Sequence, residues 1–116
     1  MTTEIIPENW KKEVRKILQK KDPSCIKMTL TAQRDWSVFD PEVFLWNYQL
    51  YDLICDYLKN ENAKGRQVCT MKESGITYEM IFDANAKRLY CKINLEPSGE
   101  VVIIYSAHPP RKGEEL

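Results

Sequence analysis

The chain has one histidine, four glycines and no excess of charge of either sign. Seventeen Lys and Arg balance seventeen Asp and Glu in 116 residues, so there is no bulk electrostatic pull toward nucleic acid or anionic lipid and any anion site must be local. The four cysteines, Cys25, Cys55, Cys69 and Cys91, include no C-x-x-C pair, and a single imidazole cannot complete the usual structural zinc spacing. No metal or other cofactor is therefore expected. No run approaches eighteen apolar residues and no apolar N-terminal stretch reads as a signal peptide, so the expectation is no membrane partner and a reducing cytoplasm with free thiols. A Walker loop, a dinucleotide fingerprint, an H-E-x-x-H pair and a nucleophile elbow are also missing. Nucleotide-binding, metalloprotease and Ser-His or Cys-His hydrolase readings lose their support with them.

What is present, with 43% hydrophobic and 29% charged residues, suits one domain spanning 1–116 around a single core. The charge is unevenly spread. Residues 11–21 hold Lys11, Lys12, Arg15, Lys16, Lys20 and Lys21 against Glu13 alone, a basic segment that suits phosphates or an acidic partner, although a solvated face is the commoner role. In "PENWKKEVRKILQKK", Pro7 suits a first helical turn, and Trp10, Val14, Ile17 and Leu18 fall at helical spacing. Residues 25–39 read both ways, as alternation through Ile26, Met28 and Leu30 or as a helical turn from Thr31. "DPEVFLWNYQLYDLICDYLKN" predicts a helix over about 41–59, with Asp40 as N-cap, Pro41 first and Phe44 among its apolar residues.

Beyond "NENAKGR" the hydrophobic period changes from 3.6 to 2. Strands are expected over 66–71, 76–83, 88–95 and 100–106, joined by hairpin-length connections. Leu89, Cys91, Ile93 and Leu95 then share a core face, and Arg88, Tyr90, Lys92 and Asn94 the other. "VVIIYSA" is apolar on both faces, as a central strand is. The expected architecture is α+β, two N-terminal helices on one face of a four-stranded antiparallel sheet.

The outward face of that sheet would offer Glu79, Arg88, Tyr90 and Lys92, with His108 just past the last strand in "YSAHPPRK". Cutting RNA without a metal needs a base for the 2′-OH, donors for the charge on the phosphorane and an acid for the leaving 5′-oxygen, and these residue types suffice. Each has a plain reading as well. A lone turn histidine is more often merely exposed to water, Arg88 and Lys92 are ordinary outward charges, and Glu79 can pair with either across the sheet.

"GITYEMIF", "RLYCKINLE" and "VVIIYSAH" in that order resemble the MqsR family of toxin–antitoxin ribonucleases, whose fold is similar to RelE and other small bacterial RNases. "TLTAQRDW" before a long helix is similar to the family's T-x-x-A segment, so the likeness covers roughly 10–108. The resemblance implies functional roles for Tyr90 and Lys92, and puts His108 where the family has a lysine. Gly75 stands where the family has a glutamine, the lysine of the preceding loop is Lys59 or Lys64, and a neutral chain is atypical of such toxins.

Together these readings lead to a metal-independent endoribonuclease, an mRNA interferase acting on single-stranded RNA, with an antitoxin as protein partner. His108 serves as acid or base, Tyr90 as a positioning or proton-donating group, and Glu79 as a candidate base. Arg88 and Lys92 clamp phosphate, and Lys11, Lys12, Arg15 and Arg111 hold RNA. The competing expectation is a noncatalytic immunity or regulatory module that docks an acidic partner through its basic helix.

Overall fold

A computed structural model describes residues 3–42, 45–69, 71–72, 74–114 and 116. Strand β1 (Glu4–Ile5) leads into helix α1 (Glu8–Lys20), followed by β2 (Ile26–Met28), α2 (Leu30–Ser37) and α3 (Asn47–Leu58). Strands β3 (Lys64–Val68), β4 (Ile76–Ala84), β5 (Lys87–Leu95) and β6 (Val102–His108) complete the chain. The α+β class is as expected, but among the described residues three helices and a six-stranded sheet replace two and four. The strand order is β1-β3-β4-β5-β6-β2. The sheet is mixed, because β2 runs parallel to β6 at one edge.

Helix α1 forms because Trp10, Val14, Ile17 and Leu18 make one buried stripe, with Pro7 as the N-cap residue rather than inside the first turn. Lys21, left-handed at φ 53°, ends it by donating its N–H to Leu18 O at 3.2 Å. The ambiguous 25–39 segment holds both structures in succession. Its strand ends at Met28, and Thr29 caps α2 by accepting from Ala32 N at 3.0 Å while its hydroxyl donates to Tyr105 O at 3.2 Å.

The long helix expected from Pro41 starts only at Asn47. Asp40 instead closes a turn by accepting from Glu42 N at 3.2 Å, and Gln49 Oε1 accepts from Trp46 N at 2.6 Å at the true helix start. Phe44 lies outside the described residues, as does Thr70 in the strand expected over 66–71, which is observed over 64–68.

Tyr78, Met80 and Phe82 of β4 share a face with Leu89, Cys91 and Ile93 of β5, and all belong to the core formed with the helices. Trp10 meets Tyr78 edge-on at 5.0 Å, and Tyr57 of α3 stacks on Phe82 at 4.7 Å, so both long helices lie on that face. Gly65 permits close approach at the β3 edge: a Cβ there would lie 2.7 Å from Glu79 O and 2.9 Å from Ile6 Cδ1. Gly75 has φ 119°, a backbone that glutamine would strain.

Strand β6 carries the irregularity that matters for function. Lys92 pairs with Ser106 but Ile93 with Ile104, so Tyr105 is an extra residue and the ladder is bulged. Strict alternation from the buried Ile104 would turn Ser106 and His108 into the core and Ala107 outward. With the bulge, Ala107 is buried in the core cluster opposite Cys91, and His108 pairs with Tyr90. His108 is thus the last residue of the strand, not a loop residue beyond it.

Candidate functional site

Period-2 alternation puts Arg66, Glu79, Lys92 and Ser106 in one row across four strands, on the face opposite the helical core. Ile81, Tyr90 and His108 make the adjacent row. Of the four expected catalytic groups, the fold therefore brings Glu79, Tyr90, Lys92 and His108 onto neighbouring rungs of one face.

Their contacts form a chain. The Tyr90 hydroxyl donates to Glu79 Oε2 at 2.6 Å, and Arg66 directs both Nε and Nη2 at Glu79 Oε1. The ring of Tyr90 stacks on the imidazole of His108, with centroids 5.2 Å apart and planes 26° from parallel. His108 Nδ1 lies 2.7 Å from Pro109 O, a contact that requires a proton on Nδ1. Nε2 is then the unprotonated nitrogen of the neutral ring and takes up the second proton of the imidazolium. Burial, with the hydrogen bond to Glu79 and the charges of Glu79 and Glu114, pushes the Tyr90 phenol up against the opposing effect of Arg66. Tyr90 is consequently a donor near neutrality and not a base.

The face is less open than a solvent side would be. Glu79 is 8% exposed, Tyr90 3% and His108 4%, so the plain reading of a water-exposed turn histidine is also set aside. Lys92 is half-buried and has no hydrogen bond or ion pair among the described residues, which leaves its ammonium available to an anion. At the far end of the face, Thr77 Oγ1 donates to Asn94 Oδ1 at 2.8 Å, a buried structural pair.

The expected cation sites fare differently. Arg88 shares the face with Tyr90 but pairs with its cross-strand partner Asp83 at 2.9 Å near the hairpin end. Lys11, expected on the solvent side of α1, is fully buried: Nζ donates to Asn60 O at 2.9 Å and Glu61 O at 3.2 Å, and pairs with Glu8 at 3.1 Å. The reason is that the turn following α3 lies against α1 and presents its carbonyls to the ammonium. Arg15 turns the same way, to Leu58 O at 3.0 Å. Lys12 stays exposed, on a helix that packs against the opposite face of the sheet. Arg111 pairs with Asp35 at 3.2 Å.

Arg66 is the residue that the sequence left unmarked. It opens the strand expected over 66–71, but only the register that sets it opposite Glu79 gives it a role, and no local spacing shows that register. Glu114, 3.7 Å from His108 Nδ1, was equally hidden in a short acidic tail. Among the described residues, no group of three or more His, Cys, Asp or Glu is arranged to hold a metal ion, and no helix is long and apolar enough to cross a membrane. No protein-family model, curated protein or solved structure matches the chain.

Proposed function

We propose that this protein is a metal-independent endoribonuclease acting on single-stranded RNA, as the likeness of its strand motifs to the MqsR family implies. The observation that carries the reading is the convergence of Glu79, Tyr90 and His108 on one sheet face, flanked by Arg66 and the unengaged Lys92. Glu79 takes the proton of a 2′-OH, whose oxygen bonds to phosphorus. The bond from phosphorus to the 5′-oxygen breaks, and His108, acting as the imidazolium with protons on both ring nitrogens, delivers the Nε2 proton to that oxygen. The products are a 2′,3′-cyclic phosphate and a 5′-hydroxyl end. Lys92 and Arg66 neutralise charge gathered on the phosphorane, and Tyr90 holds Glu79 in orientation. A RelE-like relationship and a cytoplasmic toxin role belong to the same proposal, with an antitoxin as the protein partner.

The test is an end-labelled RNA incubated with purified protein in EDTA. Wild type should cut and leave cyclic-phosphate ends, and His108→Ala and Glu79→Gln should each lose about 10²- to 10⁴-fold in rate while remaining folded. Growth arrest on expression should be relieved by His108→Ala. No cleavage across RNAs of varied sequence would end the reading.

A second reading draws on Lys12, Lys16 and Lys20, which make no ion pair among the described residues on a helix that packs against the other face of the sheet. A noncatalytic module docking an acidic protein would use these lysines and leave Glu79 and His108 dispensable. Binding of acidic partners that survives His108→Ala and fails in Lys12→Glu favours it.

A further inference from the structure

Glu79, Tyr90 and His108 lie opposite the helical core, yet each is at most 8% exposed, too closed for a polymer to reach. Part of what closes the His108 end is the chain that follows β6. It turns at Arg111 and Glu114, where Glu114 N donates to Arg111 O at 2.9 Å and Arg111 N to Glu114 Oε1 at 2.8 Å. Gly113 at φ 90° permits the reversal. The turn returns the Glu114 carboxylate to 3.7 Å from His108 Nδ1, and Arg111 Nη2 ties it to Asp35 Oδ2 on α2 at 3.2 Å.

We propose that residues 109–114 are a displaceable lid over His108, latched by the Arg111–Asp35 and Glu114–His108 contacts, whose opening admits the substrate. The identity of that substrate as RNA rests on the preceding reading; the lid itself does not. Two observations favour a lid over a permanent cover. None of the described residues beyond Ala107 joins the core cluster, so no large apolar burial holds the segment down. The Arg111 side chain is 60% exposed, and exposed ion pairs are weak latches.

Because His108 is the only histidine, its carbethoxylation by diethyl pyrocarbonate, followed by the mass of the His108 peptide, reports on one imidazole. In the full-length protein, Arg111→Ala and Asp35→Asn should each speed this modification about two- to five-fold, the size expected for loss of an exposed pair. Arg111→Ala combined with Glu114→Ala should speed it further, and Lys112→Ala, on the same exposed segment but without an ion pair among the described residues, should leave it unchanged. Thermal unfolding in parallel separates a loosened segment from a loosened fold. Should Arg111→Ala lower the midpoint, Asp35→Asn breaks the same latch from the other side and gives the answer. Faster modification together with faster RNA cleavage supports lid and substrate alike, and faster modification with no cleavage by any variant supports the lid and removes RNA. An unchanged rate in both latch variants overturns the lid.

Discussion

A lysine counted from the sequence among RNA-gripping cations turns out to be a buried donor to the turn that follows another helix. Lys11 gives its ammonium to the carbonyls of Asn60 and Glu61, in the turn that follows α3. Lys11→Met should therefore cost about 1–3 kcal/mol by removing charge-assisted hydrogen bonds made by a buried ammonium, read as a lower urea midpoint, and should leave any RNA affinity untouched. Lys12→Met, one position round the helix, should leave that midpoint unmoved. The reverse pattern would return Lys11 to the surface. Residue type and spacing made both lysines look alike, because the partner lies 49 residues away and a helical wheel shows only neighbours on the same helix. Tyr90 and Lys92 were easier to place. Two residues apart on an amphipathic strand, they had to share a face.

At the scale of elements, the β4–β5 hairpin shows how local chemistry sets register. Asn85 and Ala86, at φ 52° and 66°, make a two-residue turn with both centres left-handed, the geometry that matches strand twist. Alanine is strained there where glycine is not. Ala86→Gly should stabilise the protein by about 1 kcal/mol, visible as a higher thermal midpoint, and an unchanged or lower midpoint would contradict the turn assignment. The strands expected over 76–83 and 88–95 differ from those observed by one residue at this turn, since alternation and a short connector leave little freedom. Helix α3 was less legible. Asp40-Pro41 is a good helix opening, but it opens only a turn, and the Gln49 bond to Trp46 N that marks the true start is an ordinary pair in sequence terms.

Over the whole molecule, burial accumulates in groups that must stay protonated. Burial raises the Tyr51, Tyr57, Tyr78 and Tyr90 phenols above their usual 10.0, and raises the Cys91 thiol above 9.0 and that of Cys55 to about 11. Each of these six shifts is upward, so the folded chain holds these protons after the unfolded chain has released them. The stability they contribute is present below pH 9 and is lost as pH rises from there through the folded values. Urea midpoints should hold steady to about pH 8 and fall steeply by about pH 10.5, less so in Tyr90→Phe; a flat profile would mean these groups are not enclosed.

The amino-acid order alone determined which residues face together along each strand of the β4–β5 hairpin, where the second half becomes sheet, and that Trp10, Val14, Ile17 and Leu18 point inward, because each follows from a period of 2 or 3.6 among near neighbours. The face that His108 takes was decided only in three dimensions. It turns on one extra residue at Tyr105, whose place is set by how Lys92 and Ile93 of the adjacent strand pair with β6, and a bulge has no period to read. The same holds for Arg66 meeting Glu79 and for Glu114 returning to His108. These are contacts between segments distant in sequence or across a turn, fixed by sheet order and chain reversal.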